Sequence, residues 1–168
     1  TKQQRYSAKA VNFGIMYGMG AMGLAAGTGI SRDEAQAFIE KYFSVHKGIY
    51  KYLESIKRAA YEKGFVETLF GRRRFFPELQ TEHQGLKAAA EREAVNHPIQ
   101  GTASDLMKLA MIKLYEIPQI ASGAWKMILQ VHDELIFEVQ EKEADDTAKI
   151  IKKTMEQVYD LGVPIIVE

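Results

Sequence analysis

Arg5, Lys9, Phe13 and Tyr17 recur at intervals of four. Steps of four drift about 40° around a helix, so the four side chains share an arc of roughly 120°. That face is cationic at its N-terminal end and aromatic at its C-terminal end. Guanidinium and ammonium groups near a helix N-terminus attract phosphate oxygens. Flat rings two turns further on can stack against a sugar or a base. The face therefore suits a nucleotide, and Gly14 and Gly18 would let a base or another backbone come close. A solvated basic turn followed by core aromatics accounts for the same residues about equally well. Ala8, Val11 and Ile15 gather on another side and can pack inward. The GMGAMG run that follows comes after a helix and not a strand, so it is no dinucleotide-binding fingerprint.

A second constellation lies far along the chain, in ILQVHDELIFEV at residues 128–139. Two apolar, strand-like runs flank His132, Asp133 and Glu134, which fall where a hairpin would turn. Two-residue hairpin turns favour Asn-Gly or Asp-Gly, because both central residues need positive φ. Asp-Glu suits that geometry poorly, so adjacent carboxylates at this tip call for a functional reason.

The elements that must position these groups are legible from periodicity and punctuation. A helix is expected over residues 3–17, then a Gly-rich stretch with a short helix around Met22 to Ala26. Ser31 and Glu34 form a capping box for a helix whose inward face would carry Ala35, Phe38, Ile39 and Tyr42. Ser44 is expected to cap the next helix, residues 45–63, which Gly64 ends. FVETLFGRRRFFP reads as a hairpin turning at Gly71. A helix over 82–97 meets Pro98, which breaks or restarts it, and a second runs to about Glu116. The carboxylate-tipped hairpin fills 125–139. A final helix carries acids early and lysines later, with Ala144, Ala148, Ile151, Met155 and Val158 facing the core. VPIIVE reads as a strand stopped midway, and both ends of the chain look cut, as in a fragment of a longer protein. The order, helices first and then helices mixed with antiparallel strands, is that of an α+β fold.

Composition narrows the classes. The 168 residues suit one domain or two small lobes. Lys plus Arg equals Asp plus Glu, 22 each, so any nucleic-acid contact must come from local patches. There is no cysteine, which excludes disulfides and thiolate metal sites. No apolar run is long enough to span a bilayer and no signal peptide is visible. His46, His83 and His97 lack ligand-like partners at helical spacing, which argues against zinc.

RYSAKAVNFGIMYG resembles motif B of the family A DNA polymerases, the bacterial DNA polymerase I-like enzymes, and QVHDELIFEV resembles their motif C. RRRFFPEL and AAAEREAVNHPIQGTASDLMKLAM also match the pattern between those motifs, so the resemblance covers essentially the whole chain in order. It implies part of the fingers, residues 1–80, followed by part of an antiparallel-sheet palm, residues 81–168. The activity implied is template-directed DNA synthesis: nucleotidyl transfer from a dNTP to a primer 3′-OH by a two-metal mechanism with Mg2+. By the same resemblance Arg5 and Lys9 hold the incoming triphosphate, with Lys9 also catalytic. Phe13 sits at the nucleotide sugar and implies discrimination against dideoxynucleotides. Tyr17 stacks at the templating position while the fingers are open. Arg92 and Asn96 match template-side contacts, and Gln100 and His132 lie near the primer terminus and minor groove. Asp133 matches a catalytic metal ligand and Glu134 its acidic neighbour.

Physical reasons stand beside these assignments. Phosphoryl transfer is mostly positioning and charge neutralisation. Mg2+ takes carboxylate oxygens, which a strand tip projects well. Amide side chains can donate to the N3 and O2 acceptors of the minor groove and so check pair shape without reading sequence. Bland readings remain open for several residues. Gln100 could simply cap a helix restarted after Pro98, and Arg92 could be a solvated face residue. Arg72, Arg73 and Arg74, beside Phe75 and Phe76, read equally as a DNA-backbone patch or a solvated hairpin edge.

The family's other catalytic aspartate belongs to a motif A that these residues do not contain. The expectation is that the isolated chain does not polymerise and works with the remainder of the polymerase, in cis or as a second chain. The expected partners are primer-template DNA and dNTP, with no membrane, in an otherwise monomeric protein. The expected location is cytoplasmic and nucleoid-associated, with an organelle as the other option. Two rivals compete: a fragment of a single-subunit RNA polymerase, and a non-catalytic nucleic-acid-binding module. His-Asp-Glu at the tip and Phe13 at the sugar position favour the DNA enzyme.

Overall fold

The computed structural model describes residues 2–168, and within the first turns of the chain the side chains of Arg5, Ala8 and Lys9 and those from Val11 onward. The chain divides into two compact units, Thr1–Gly101 and Thr102–Glu168. The division falls inside a helix, after the 80/81 boundary drawn from the sequence.

The first unit begins with α1 (Lys2–Met16) and α2 (Ala21–Thr28). Ile15, Leu24 and Ala35 form their buried cluster with α3 (Arg32–Val45), and Val11, Met19, Ile39, Tyr42 and Phe43 pack around it. Tyr42 donates its hydroxyl to Asn12 Oδ1 at 2.7 Å, tying α3 to α1. The capping box is present: Ser31 Oγ accepts from the Glu34 amide, and the Glu34 carboxylate accepts from the Ser31 amide at 2.9 Å. Two expected inward residues turn out exposed. Ala8 lies on the solvent side of α1, and Phe38 is 48% exposed on α3, where Phe43 packs inward instead. A one-residue error in phase moves a side chain 100° around a helix, enough to exchange one face for another.

Next comes α4 (Lys47–Lys63), which Gly64 ends at φ +77. Ser44 is not its cap. That residue lies inside the last turn of α3 and donates its hydroxyl to Lys41 O, while His46 takes the cap position without a side-chain bond. Strands β1 (Phe65–Glu67) and β2 (Arg73–Phe75) pair antiparallel, with Phe65 opposite Phe75. Gly71, at φ +81, makes the expected turn. Ala60, Val66, Phe76, Leu79, Ala90 and Ala94 bury the hairpin against α4 and the first half of α5 (Gln84–Tyr115). Pro98 lies inside α5, which continues through it as one helix of 32 residues. The missing N–H removes one bond of the ladder, but neighbouring bonds and packing carry the helix on.

The second unit packs the end of α5, α6 (Pro118–Ala121), β3 (Lys126–Val131), β4 (Glu134–Glu138) and α7 (Ala144–Glu156). Its buried residues are Ala110, Leu114, Ile120, Trp125, Met155 and Val158. Trp125 Nε1 donates to Glu143 at 3.0 Å, and Lys113 Nζ donates to Val158 O at 2.7 Å, which holds the chain beyond α7. On α7 the inward positions are Thr147, Ile151 and Met155, whereas Ala144 and Ala148 are exposed. Residues 163–168 form no strand; Val167 N–H donates to Glu156 Oε1 at 3.1 Å. The whole is α+β, helices with two small antiparallel sheets. No described helix is long and apolar enough to cross a membrane.

Candidate nucleotide and nucleic-acid site

In the first unit, α1 presents a ladder of side chains. Arg5 and Lys9 are exposed, and Phe13 is 41% exposed. Lys9 Nζ lies 5.8 Å from the centroid of the Phe13 ring. Phe13 and Tyr17 stack with centroids 6.0 Å apart and planes 23° from parallel. The four sequence-predicted residues therefore do lie along one accessible face, with Ile15 buried behind them. That geometry disfavours the core-aromatic alternative for Phe13.

Beyond Tyr17 the helix must stop, and Gly18 does this at φ +83, a region L side chains rarely enter. A Cβ on Gly18 would come 3.1 Å from Arg92 Cγ, so the glycine lets α5 approach. Tyr17 and Arg92 consequently line one cleft of about 540 Å³ with Gly14, Met19, Gly20, Met22 and Gly23. Flat ring, guanidinium and bare backbone around one concavity suit a planar, polar ligand.

Arg92, Asn96 and Gln100 follow one another at spacing four on α5. Arg92 and Gln100 are exposed, and Asn96 is half-buried. The Asn96 Oδ1 atom is buried with no hydrogen-bond partner among the described residues. Buried polar atoms in folded proteins usually have a partner such as an ordered water. Because α5 is continuous, Gln100 does not cap a restarted helix, and that alternative falls away.

The arginine run is mostly engaged within the fold. Arg73 Nε pairs with Glu67 at 2.9 Å and stacks on Phe65 at 4.6 Å. Arg74 pairs with Glu93 and lies over Phe76 at 5.1 Å. Arg72 Nη2 donates to Gly101 O at 3.0 Å. Two neutralising glutamates favour the hairpin-edge reading over a free basic patch. Sequence reasoning missed the Arg72–Gly101 link, whose one visible signal was a glycine placed inside a helix just after a proline.

In the second unit, β3 and β4 pair with Val131 opposite Glu134. The two-residue turn is therefore His132-Asp133, one position earlier than the Asp-Glu reading, and Glu134 opens β4. A bulge between Met127 and Leu129 adds a residue to β3, and the pairing beyond it closes on this turn. His132 adopts φ +55 and is the one non-glycine with positive φ among the described residues. Gln130 Nε2 donates to His132 O at 2.9 Å across the turn. At the open end, Lys126 and Glu138 pair at 2.8 Å, and this contact lowers the Glu138 pKa and raises that of Lys126. His132, Asp133 and Glu134 are all exposed at the tip.

Asp133 and Glu134 supply the hard oxygen donors that Mg2+ takes. Among the described residues no group of three or more His, Cys, Asp or Glu is arranged to hold a metal ion. The pair therefore fits part of a coordination set.

The description of the whole chain, residues 1–168, matches that of DNA polymerase family A. It is 47% identical over 165 residues to DNA polymerase I of Pseudomonas aeruginosa, covering 98% of this chain and 18% of that protein. It is 46% identical over 164 residues to the thermostable DNA polymerase I of Thermus aquaticus, covering 98% of this chain and 20% of that one. Among solved structures, the POL domain of Pol1 from M. smegmatis, in complex with DNA primer-template and dNTP, superposes with a TM-score of 0.92 at 39% identity, covering all of this chain and 30% of that one. The chain spans about a fifth of the length of the curated relatives it matches. On the match along its full length, the chain belongs to family A of the DNA polymerases.

Proposed function

We propose that this chain is the nucleotide-binding and part of the catalytic region of a DNA-directed DNA polymerase, with fingers residues in 1–80 and palm residues in 81–168. The observation that carries the reading is the Lys9–Phe13–Tyr17 ladder along and just past α1, with Lys9 and Phe13 exposed and Tyr17 half-buried. Arg5 and Lys9 bind the triphosphate oxygens of an incoming dNTP, and Lys9 offsets charge on the leaving pyrophosphate. The Phe13 ring packs on the sugar, and Tyr17 gives a flat platform at the templating position.

Arg92 and Asn96 hold the template side, one turn apart on α5. Gln100 and His132 contact the minor groove near the primer terminus. Asp133 holds Mg2+, with Glu134 beside it. Two such ions, when bound, activate the primer hydroxyl and stabilise the leaving group. The second carboxylate ligand comes from the remainder of the polymerase, in cis or as a second chain. The enzyme acts as a monomer on primer-template DNA, in the nucleoid.

Primer extension tests this. In a complete polymerase containing the chain, Asp133→Asn and Lys9→Ala should each cut incorporation by at least about a hundredfold. The isolated 168 residues should incorporate nothing with Mg2+. Unchanged activity of Asp133→Asn would favour the non-catalytic binding module, and extension by the isolated chain would remove the need for a second carboxylate source.

A further inference from the structure

The tip of the β1–β2 hairpin presses on α5 just past Pro98. Arg72 Nη2 donates to Gly101 O at 3.0 Å. A Cβ on Gly101 would lie 2.6 Å from Thr68 Cγ2, 3.2 Å from His97 Cε1 and 3.3 Å from Arg72 Nη2. Thr68 and His97 are both buried and Arg72 reaches in from the surface, so the notch at Gly101 has little room to yield. The tip is itself braced. Thr68 N–H donates to Arg72 O at 3.0 Å, Arg72 N–H donates to Thr68 Oγ1 at 3.1 Å, and Gly71 N–H donates to Thr68 O at 3.0 Å.

Glycine inside a helix weakens it, and proline removes a bond of its ladder. Here the two stand three residues apart in α5, with Gln100 just before the glycine and Asn96 two residues before the proline. This is the part of the helix least able to hold its own direction, and it carries two of the proposed DNA contacts. The hairpin supplies an external clamp at that spot. The guanidinium grips a helix carbonyl, and Thr68 fills the notch that the missing Cβ leaves.

We propose that Arg72 is a positioning residue, which fixes α5 at Gly101 and thereby aims Gln100 at the primer end of the DNA. The inference rests on the reading of Gln100 as a DNA contact. In this role Arg72 acts through its bond to the helix. The guanidinium matters for its planar, multi-donor geometry as well as its charge, so lysine should replace it poorly.

The test is a double-mutant cycle in a complete polymerase containing this chain, read by the ratio of matched to mismatched primer-end extension. Arg72→Ala and Gln100→Ala should each lower that ratio by roughly tenfold. The double variant should be no worse than Gln100→Ala alone, because aim is worthless once the contact is gone. KM for dNTP should stay within about twofold, since the α1 ladder is untouched. Arg72→Lys should restore less than half of the lost ratio on a logarithmic scale. Thermal unfolding of each variant separates misfolding from misaiming, and Gly101→Ala, which disturbs the same contact from the helix side, should reproduce the Arg72→Ala defect. Multiplying effects in the double variant, or a ratio that Arg72→Ala leaves unchanged, would overturn the positioning role while leaving the Gln100 reading intact. A ratio that Gln100→Ala leaves unchanged would overturn both.

Discussion

Lys9 Nζ sits 5.8 Å from the centroid of the Phe13 ring, which in turn stacks on Tyr17 at 6.0 Å. The two contacts link a cation to a pair of rings along one helical face. The electron-rich ring face attracts the ammonium, which biases Lys9 along the helix by about 0.5–1 kcal/mol. The rings stack offset, the arrangement that aromatic pairs favour. The charge thus lies beside the rings.

Removing the charge should therefore harm binding and chemistry together. In a complete polymerase, Lys9→Ala should lower kcat/KM for dNTP by roughly a hundredfold or more. Lys9→Arg keeps both the charge and the stacking on Phe13 and should recover at least about tenfold of that loss. Steady-state primer extension with a single dNTP measures both. Equal losses for the two substitutions would show that ring-held charge is irrelevant there.

Gly18 makes a sharper structural prediction. Its φ of +83 disfavours any side chain, and a Cβ would stand 3.1 Å from Arg92 Cγ. Gly18→Ala should destabilise the 168-residue chain by about 1–2 kcal/mol. The same change pushes Arg92 away from the cleft it shares with Tyr17, so template-strand affinity should also fall. Chemical denaturation reports the first effect and fluorescence anisotropy with primer-template DNA, on the complete enzyme, the second.

How legible all this was depended on the range of the interactions involved. The Ser31–Glu34 box and the glycine stop at Gly64 were readable because both act within a few residues. Ser44 failed as a cap because α3 ran on through it to Val45, held by packing that involves Tyr42 and Phe43. Pro98 was readable as a disturbance but not as an interior residue of one long helix, since what carries α5 past it is tertiary. The hairpin tip was located to within one residue. The turn closes on His132-Asp133, a register set by pairing along both strands, including a bulge at Ile128 that no local residue type announces. From spacing alone the α1 face read equally as a nucleotide face or a bland one, and the roles of Arg92, Asn96, Gln100 and His132 came only with the family resemblance. The Arg72 grip on Gly101 was not legible, because it joins residues 29 apart in sequence.

The capping box predicts a pH response with a definite sign. The Glu34 pKa is lowered, first by the Ser31 amide and then by the Ser31 hydroxyl. A lowered folded pKa contributes stability that is complete above the unfolded value of about 4.3 and is lost as pH falls through the folded value. Ser31→Ala should cost about 1 kcal/mol at neutral pH, and that difference should shrink below about pH 4 as Glu34 protonates. Glu34→Gln, which can still accept from the Ser31 amide, should flatten the acid dependence. Urea unfolding of the three chains between pH 3 and pH 7 tests the sign, and a cost that grows in acid would contradict it.

His132 yields the clearest separation of stability from function. Its φ of +55 places a bulky side chain in a region natural to glycine, at the first central position of the β3–β4 turn. Histidine enters that region more readily than most residues but still at a cost. His132→Gly should relieve the strain and stabilise the chain by up to about 1 kcal/mol, partly offset by the entropy of the freer glycine. In a complete polymerase the same substitution should lower primer extension by roughly tenfold, through the lost imidazole contact and a looser aim for Asp133. His132→Asn separates those two causes, because asparagine also tolerates positive φ and keeps the turn stiff. If aim dominates, Asn retains most of the activity and Gly does not; if the imidazole contact dominates, both fall equally. A glycine variant that is both less stable and fully active would contradict the assignment of strain at this turn to function.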